Sequence, residues 1–441
     1  MPSRQISGLP EPKLDTKSWD PVVTPGTAAL VTDCGDAGRA AYHAAMAVTA
    51  VQPTRHADVL REAVAPFLRF FNGAFAQHEK DPSFANFAVG NPHELAMPSY
   101  VAAIRDHLAP QDKDWFAYKM SEPEATSVVA RTMSTLTGLD WDAQDVNMTN
   151  GGFGALAVAF RTLLNRGDEA IFLSPPWFFY EQLILAGDGT PVRVQLDMPD
   201  CQIDPSAIEP AINARTRLVV LNSPHNPSGR IVSVDELRAL ADLLTRKSSE
   251  MGHPIYLVSD EPYRRIVFDG REYHSPSEFY PCTLVCYSYG KQLLAPGMRI
   301  GYLTWAPNMP GREQLRDDVF LAQVSSGWAF PNADLQHALA DLEPQCIDIA
   351  ALERRRARLV GALREMGYEA TWPAGTFYVM ARSPVPDDEA FAAILTRHDV
   401  LVLPGTVVEV PGWFRLSLTA SDEMIEKGIP AFRAARTEAL A

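Results

Sequence analysis

The chain has 441 residues, 39 of them Lys or Arg and 54 Asp or Glu, for a formal charge of −15. Its 46% hydrophobic and 21% charged content suits a globular chain long enough to bury a sizeable core, not a disordered one. The acidic balance argues against a nucleic-acid binder held by phosphate contacts, and no apolar run of about 18 residues suggests a membrane span.

Residues 1–60 read as an N-terminal extension. Pro10, Pro12, Pro21 and Pro25 punctuate its first half, and an Ala-rich helix is expected over about 37–50. The opening Met1-Pro-Ser-Arg-Gln-Ile-Ser has no apolar targeting core, so a cytoplasmic location is the expectation. An amphipathic helix is expected from about 55 to 77, with Leu60, Val64, Phe67, Leu68 and Phe71 on one stripe. A short strand over 84–89 then ends at Gly90-Asn91-Pro92.

Apolar, β-branched runs recur through the middle third, at 170–173, 218–221, 255–258, 283–287 and 300–305. Between them lie helical patterns. The clearest opens with a capping box at Ser233 and Glu236 and buries Leu237, Leu240, Leu243 and Leu244 on one face. Near-continuous apolar strands alternating with such helices predict an α/β fold with a mostly parallel sheet covered on both faces. From about 349 a long charged helix begins, in which Arg354, Arg355, Arg356 and Arg358 read as a solvated face. Short strands at 376–381, 400–403 and 413–418 and a closing helix suggest a smaller α+β domain. The division expected is an extension over 1–60, a large domain over 96–322, and a small domain from 61–95 with 323–441. Cys34, Cys201, Cys282, Cys286 and Cys346 are scattered; Cys282 and Cys286 are four apart, but no second pair or His cluster accompanies them, so the five read as reduced thiols and no metal site is expected.

Ligands of open α/β sheets bind beyond the carboxyl ends of the strands. Polar residues collect there. The 218–221 run is followed by Asn222-Ser-Pro-His-Asn226-Pro-Ser-Gly229, the 255–258 run by Ser259-Asp260-Glu-Pro-Tyr263, and the 283–287 run by Ser288-Tyr-Gly-Lys291. A lysine at a buried strand end is costly unless its pKa falls or it is covalently engaged, and a desolvated lysine is the usual nucleophile for a carbonyl. Asp260 placed opposite would keep a pyridine nitrogen protonated, making the ring an electron sink. Ser288, Arg299 and the Gly151-Gly152-Phe153 turn before a helix offer a phosphate cradle. A phosphorylated pyridine aldehyde meets all three demands.

Over roughly 84–420 the sequence resembles the fold-type I, pyridoxal-phosphate-dependent aminotransferases of class I/II, the aspartate aminotransferase superfamily. The likeness rests on Asn-Pro-x-Gly, Asp-x-x-Tyr, Ser-x-x-Lys and a distant Arg, in that order. It implies a seven-stranded central sheet, a pyridoxal 5'-phosphate cofactor, and transfer of an amino group between an L-amino acid and a 2-oxo acid. By resemblance Lys291 forms the Schiff base with the cofactor and serves as acid and base. Asp260 pairs with the ring nitrogen, and Asn226 and Tyr263 bond its 3'-oxygen. Trp177 stacks on the ring, while Ser288, Arg299, Gly151, Gly152 and the backbone of Phe153 hold the phosphate. Arg415 and the backbone of Gly90 take the substrate carboxylate, an Arg fork fitting a planar carboxylate. Tyr118 matches a tyrosine that reaches the neighbouring subunit's phosphate, which implies a homodimer with shared sites; the glycine that usually follows it is absent.

Side-chain recognition is weakly encoded. The resemblance implies that aspartate-preferring relatives bring a second arginine from the partner subunit; the matching segment here, 325–332, carries none, which disfavours a dicarboxylate donor and favours an apolar or aromatic one. Trp328 and Phe330 read as interface packing or pocket wall, and His93 and Glu94 as loop residues or pocket lining. The same cradle supports lyase, decarboxylase or other Cα and Cβ chemistry of specialised metabolism, and a non-catalytic sensor on this fold is a remoter alternative.

Overall fold

Strand-forming runs in the middle of the chain have no polar face to offer water, so they must lie between two layers of helix. The computed structural model describes residues 55–441 and resolves that expectation; the extension before residue 55, with its expected helix and Cys34, lies outside the described residues. Leu60–Ala441 form one compact unit.

After a short strand β1 (Ala85–Asn86) come β2 (Val146–Thr149), β3 (Glu169–Ser174), β4 (Thr190–Gln195), β5 (Thr216–Asn222), β6 (Tyr256–Asp260), β7 (Thr283–Ser288) and β8 (Gly301–Trp305). The last seven form one sheet in the order β2-β8-β7-β6-β5-β3-β4, parallel throughout except that β8 runs against both its neighbours. Alternation assigns the two faces. Ala170 and Phe172 of β3 pack with the helix Gly151–Leu163 and the helix Arg312–Ser325. Ile171 and Leu173 point the other way, towards Leu237, Leu240 and Leu244 of the helix Val234–Met251. That helix starts with the expected Ser233–Glu236 capping box.

Beyond the sheet, β9 (Tyr378–Arg382), β11 (Leu403–Pro404) and β12 (Trp413–Ser417) make an antiparallel sheet with β12 in the middle, while β10 (Val400–Leu401) pairs with β1. The helices Ile349–Glu365, Asp388–Arg397 and Asp422–Leu440 share a core with these strands. Arg415 therefore sits on a central strand, opposite Met380 and Leu403.

Three expectations are corrected. The single helix expected from 55 to 77 is a series, Arg55–Ala63, Ala65–Phe70, a wide turn Phe71–Phe75 and Ala76–His78, broken at Val64 and again where Gly73 leaves the helical region. The 400–403 strand splits between two sheets. The basic run is only half solvated. Arg354 and Arg358 are exposed, but Arg355 is buried against Glu94 and Asp422, and Arg356 against Asp269 and the Trp372 ring. One face of that helix is turned into the protein, and its guanidinium groups are paired there, as burial demands.

Candidate active site

Parallel strands end together, and here their ends carry function. Asn222 and Asp260, the last residues of β5 and β6, are register neighbours. The Asn222 side chain ties two pieces of backbone together: its Nδ2 donates to the Asp260 carbonyl (2.8 Å), and its Oδ1 accepts from the Asn226 N–H (2.7 Å). Ser288 closes β7, and the next turn of helix, Tyr289–Gln292, presents Lys291. Lys291 Nζ lies 5.8 Å from the ring centres of both Tyr263 and Phe377.

One cleft of about 230 Å³ gathers nearly all the residues singled out in the sequence. Gly90, Gly152, Phe153, Trp177, Asn226, Asp260, Tyr263, Ser288, Lys291, Arg299 and Arg415 line it. Gly151 stands directly behind. At φ 76° it takes a left-handed conformation, and a Cβ there would fall 2.5 Å from Arg299 Nη2. This close approach brings the guanidinium to the N-terminus of the helix Gly151–Leu163, where free N–H groups and the helix dipole favour an anion. Arg299 is further fixed by the Pro296 and Asn150 carbonyls (2.8 and 3.2 Å), and burial lowers its pKa.

At the opposite end Arg415 is 2% exposed. Its Nη1 donates to Asn226 Oδ1 (2.8 Å) and its Nη2 to the Ala88 carbonyl (3.2 Å), while the Tyr378 ring lies under the guanidinium at 3.9 Å. Among the described residues its buried Nε has no partner. Burial lowers the Arg415 pKa, with Tyr378 and Tyr263 opposing. Burial pushes the Tyr378 phenol up, yet Arg415 and Lys291 outweigh it and bring it below its usual value. In the middle of the cleft, burial raises the Asp260 carboxyl to about 7, against the opposing effects of a hydrogen bond from Tyr180 and the charge of Lys291.

Tyr118 is the exception. It is 87% exposed, packs against Phe330 at 4.8 Å between ring centres, and takes no part in the cleft. His93 and Glu94 do not line the cleft either; Glu94 is held by Arg355. Trp328 packs near Phe153, and its carbonyl accepts from Asn150 Nδ2. Asn222 stands among the polar strand-end residues of the sequence but without a role of its own, and two further neighbours, Tyr180 and Tyr378, are not indicated there at all. Tyr180 and Tyr378 reach the site from other elements, and nothing local in the sequence announces that.

The residues fit pyridoxal phosphate on the structure's own terms. The Gly151–Arg299 approach leaves no room for a side chain where an anion would sit, and among the described residues Asp260 is a buried acid without a guanidinium partner and the buried Nε of Arg415 lacks an acceptor. Comparison with known proteins agrees. The model of the family "Aminotransferase class I and II" matches residues 82–432. The chain belongs to the class I and II aminotransferases.

An aspartate/prephenate aminotransferase of Thermus thermophilus is 32% identical over 354 residues, covering 78% of this chain and 88% of that protein. Kynurenine–oxoglutarate transaminase 1 of Homo sapiens is 26% identical, covering 66% of this chain and 71% of its own. Among solved structures, an aminotransferase from Eubacterium rectale has a TM-score of 0.78 at 30% identity, covering 90% of this chain and 98% of the other. The chain is thus a pyridoxal-phosphate-dependent enzyme that transfers amino groups. Among the described residues no helix is long and apolar enough to cross a membrane.

Proposed function

We propose that the enzyme exchanges the amino group of an apolar or aromatic L-amino acid with a 2-oxo acid, using Lys291 as its proton carrier. The observation that carries the assignment of residues is the shared cleft, with Arg299 at one end, Arg415 at the other, and Lys291 and Asp260 between them. Pyridoxal phosphate, when bound, supplies an aldehyde for the amino group and an electron-withdrawing ring. Ser288, Arg299 and the N–H groups of Gly151, Gly152 and Phe153 would hold the phosphate, with Trp177 against the ring and Tyr263 and Asn226 on its 3'-oxygen.

Arg415 binds and orients the substrate carboxylate, with the Gly90 backbone beside it. That fixes the direction of the Cα–H bond, and Lys291 moves the proton from Cα, a positioned acid–base step. Asp260 holds a proton at the ring nitrogen. Phe153 and Phe178 line the cleft as an aromatic wall, which supports an apolar or aromatic donor.

The reading extends to the assembly. Tyr118 with Phe116 and Phe330, all exposed, support a homodimer in which Tyr118 serves the partner's site. The domain division proposed is the extension 1–60, a large domain 96–322, and a small domain of 61–95 and 323–441. Free thiols at Cys201, Cys282, Cys286 and Cys346 support a cytoplasmic location.

The test is the visible absorption spectrum of the purified protein and of Lys291→Ala, before and after a panel of amino acids. A cofactor band that needs Lys291, is bleached by apolar or aromatic donors and returns with a 2-oxo acid is expected. Bleaching by aspartate alone would overturn the substrate class, and a band that shifts without bleaching would replace transamination with lyase or decarboxylase chemistry.

A further inference from the structure

Asp260 does not stand alone in its pocket. Its Oδ2 accepts a hydrogen bond of 2.6 Å from Tyr180 Oη. Tyr180 is 2% exposed and belongs to neither β6 nor the strands beside it; it is the first residue of the helix Tyr180–Ala186, after the turn that follows β3. The same turn carries Trp177. The Tyr180 N–H donates to the Trp177 carbonyl (3.2 Å), and the two rings meet edge to face at 5.4 Å. Asn222 Nδ2 meanwhile holds the Asp260 backbone carbonyl, and among the described residues Tyr180 is the side chain hydrogen-bonded to the carboxylate.

A phenol donating to a carboxylate stabilises the anion over the acid, and more so where water is excluded. It also fixes the carboxylate's plane, because one oxygen is committed and the other is left for a ligand. We propose that Tyr180 is a positioning residue: it orients the Asp260 carboxylate and favours its anionic form, so that the proton shared with the cofactor's ring nitrogen stays on the nitrogen. This rests on the reading that Asp260 faces that nitrogen. It adds a residue from a separate element, on the turn that also carries Trp177, so one short segment sets both the stacking and the charge of the ring.

The experiment uses the holoenzyme loaded with cofactor labelled at the ring nitrogen, read by nitrogen NMR, in the native protein, Tyr180→Phe and Asp260→Ala. Phenylalanine keeps the ring that packs on Trp177 and Phe172 and removes only the hydroxyl. In Tyr180→Phe the resonance is expected to move towards the unprotonated position. The rate of the amino-acid half-reaction should fall about ten- to hundredfold, the worth of a hydrogen bond to a charged group, with little change in KM or in melting temperature.

An unmoved resonance in folded Tyr180→Phe, beside a moved one in Asp260→Ala, overturns the role of Tyr180 and spares the role of Asp260. An unmoved resonance in both overturns the two together. Should Tyr180→Phe fail to fold, a ring-fluorinated tyrosine at position 180 alters the hydroxyl's acidity without removing it. The resonance must then move, and if it does not the proposal falls.

Discussion

Asp260→Asn should stabilise the cofactor-free protein and destabilise the holoenzyme, an opposition of sign that few other substitutions produce. Burial pushes the Asp260 carboxyl from its ordinary 3.8 up to about 7 in the folded chain, outweighing the opposing effects of Tyr180 and Lys291. A group with a raised folded-state pKa contributes stability in full below its unfolded value, and loses it as pH climbs through the folded value. At about 1.4 kcal/mol for each pH unit, ionising Asp260 at pH 8 costs the empty protein roughly 4 kcal/mol, and less than half of that at pH 5. Asn has no proton to lose and nearly the same shape. With an unfolding entropy of ~2.1 cal/mol/K per residue over roughly 380 residues, the gain corresponds to about 5 °C at pH 8. With cofactor bound, Asn cannot pair with a charged ring nitrogen, and the shift reverses. Calorimetric melts with and without cofactor at both pH values decide it. A lower melting temperature for the empty variant at pH 8 would refute the argument that burial strains this carboxylate.

Other outcomes follow from the two ends of the cleft and from the rim. Gly151→Ala should weaken cofactor retention by tenfold or more in equilibrium dialysis, because the new Cβ meets Arg299 at 2.5 Å on a backbone at φ 76°. Arg415→Lys should keep the cofactor band but raise KM for the amino acid by about ten- to hundredfold in steady-state kinetics, since an ammonium cannot form the fork or hold Asn226 and Ala88 together. Arg355→Ala should lower stability to urea by about 1–2 kcal/mol through lost packing and two ion pairs, whereas Glu94→Ala, whose side chain is half exposed, should cost under about 1 kcal/mol.

The strands of the central sheet were legible because burial on both faces writes itself as unbroken apolar runs, as in β5 and β7. The missing ones explain themselves. β4 is an edge strand with an alternating, mostly exposed pattern and Pro191 and Arg193 inside it, and β2 is four residues long with Asn147 in the middle. The helix series 55–78 misled because its apolar stripe is real while its backbone turns at Gly73, so periodicity survives a break in geometry. Arg355 and Arg356 were misplaced for a related reason: a charge is read as solvated unless its partner is known, and their partners lie up to 261 residues away.

The same distinction separates the parts of the site. Asp260 and Ser288 end their strands and Lys291 lies in the helical turn just after, so the rule that ligands meet strand ends finds them without any knowledge of packing. Tyr180 and Tyr378 act on Asp260 and Arg415 from elements 80 and 37 positions away, and only the fold makes them neighbours. Residues that touch the ligand are thus written locally, while residues that set their charge are written in the topology. For this enzyme the second group matters as much as the first. Burial raises the Asp260 carboxyl in the empty cleft, and a single hydroxyl from another element opposes that shift.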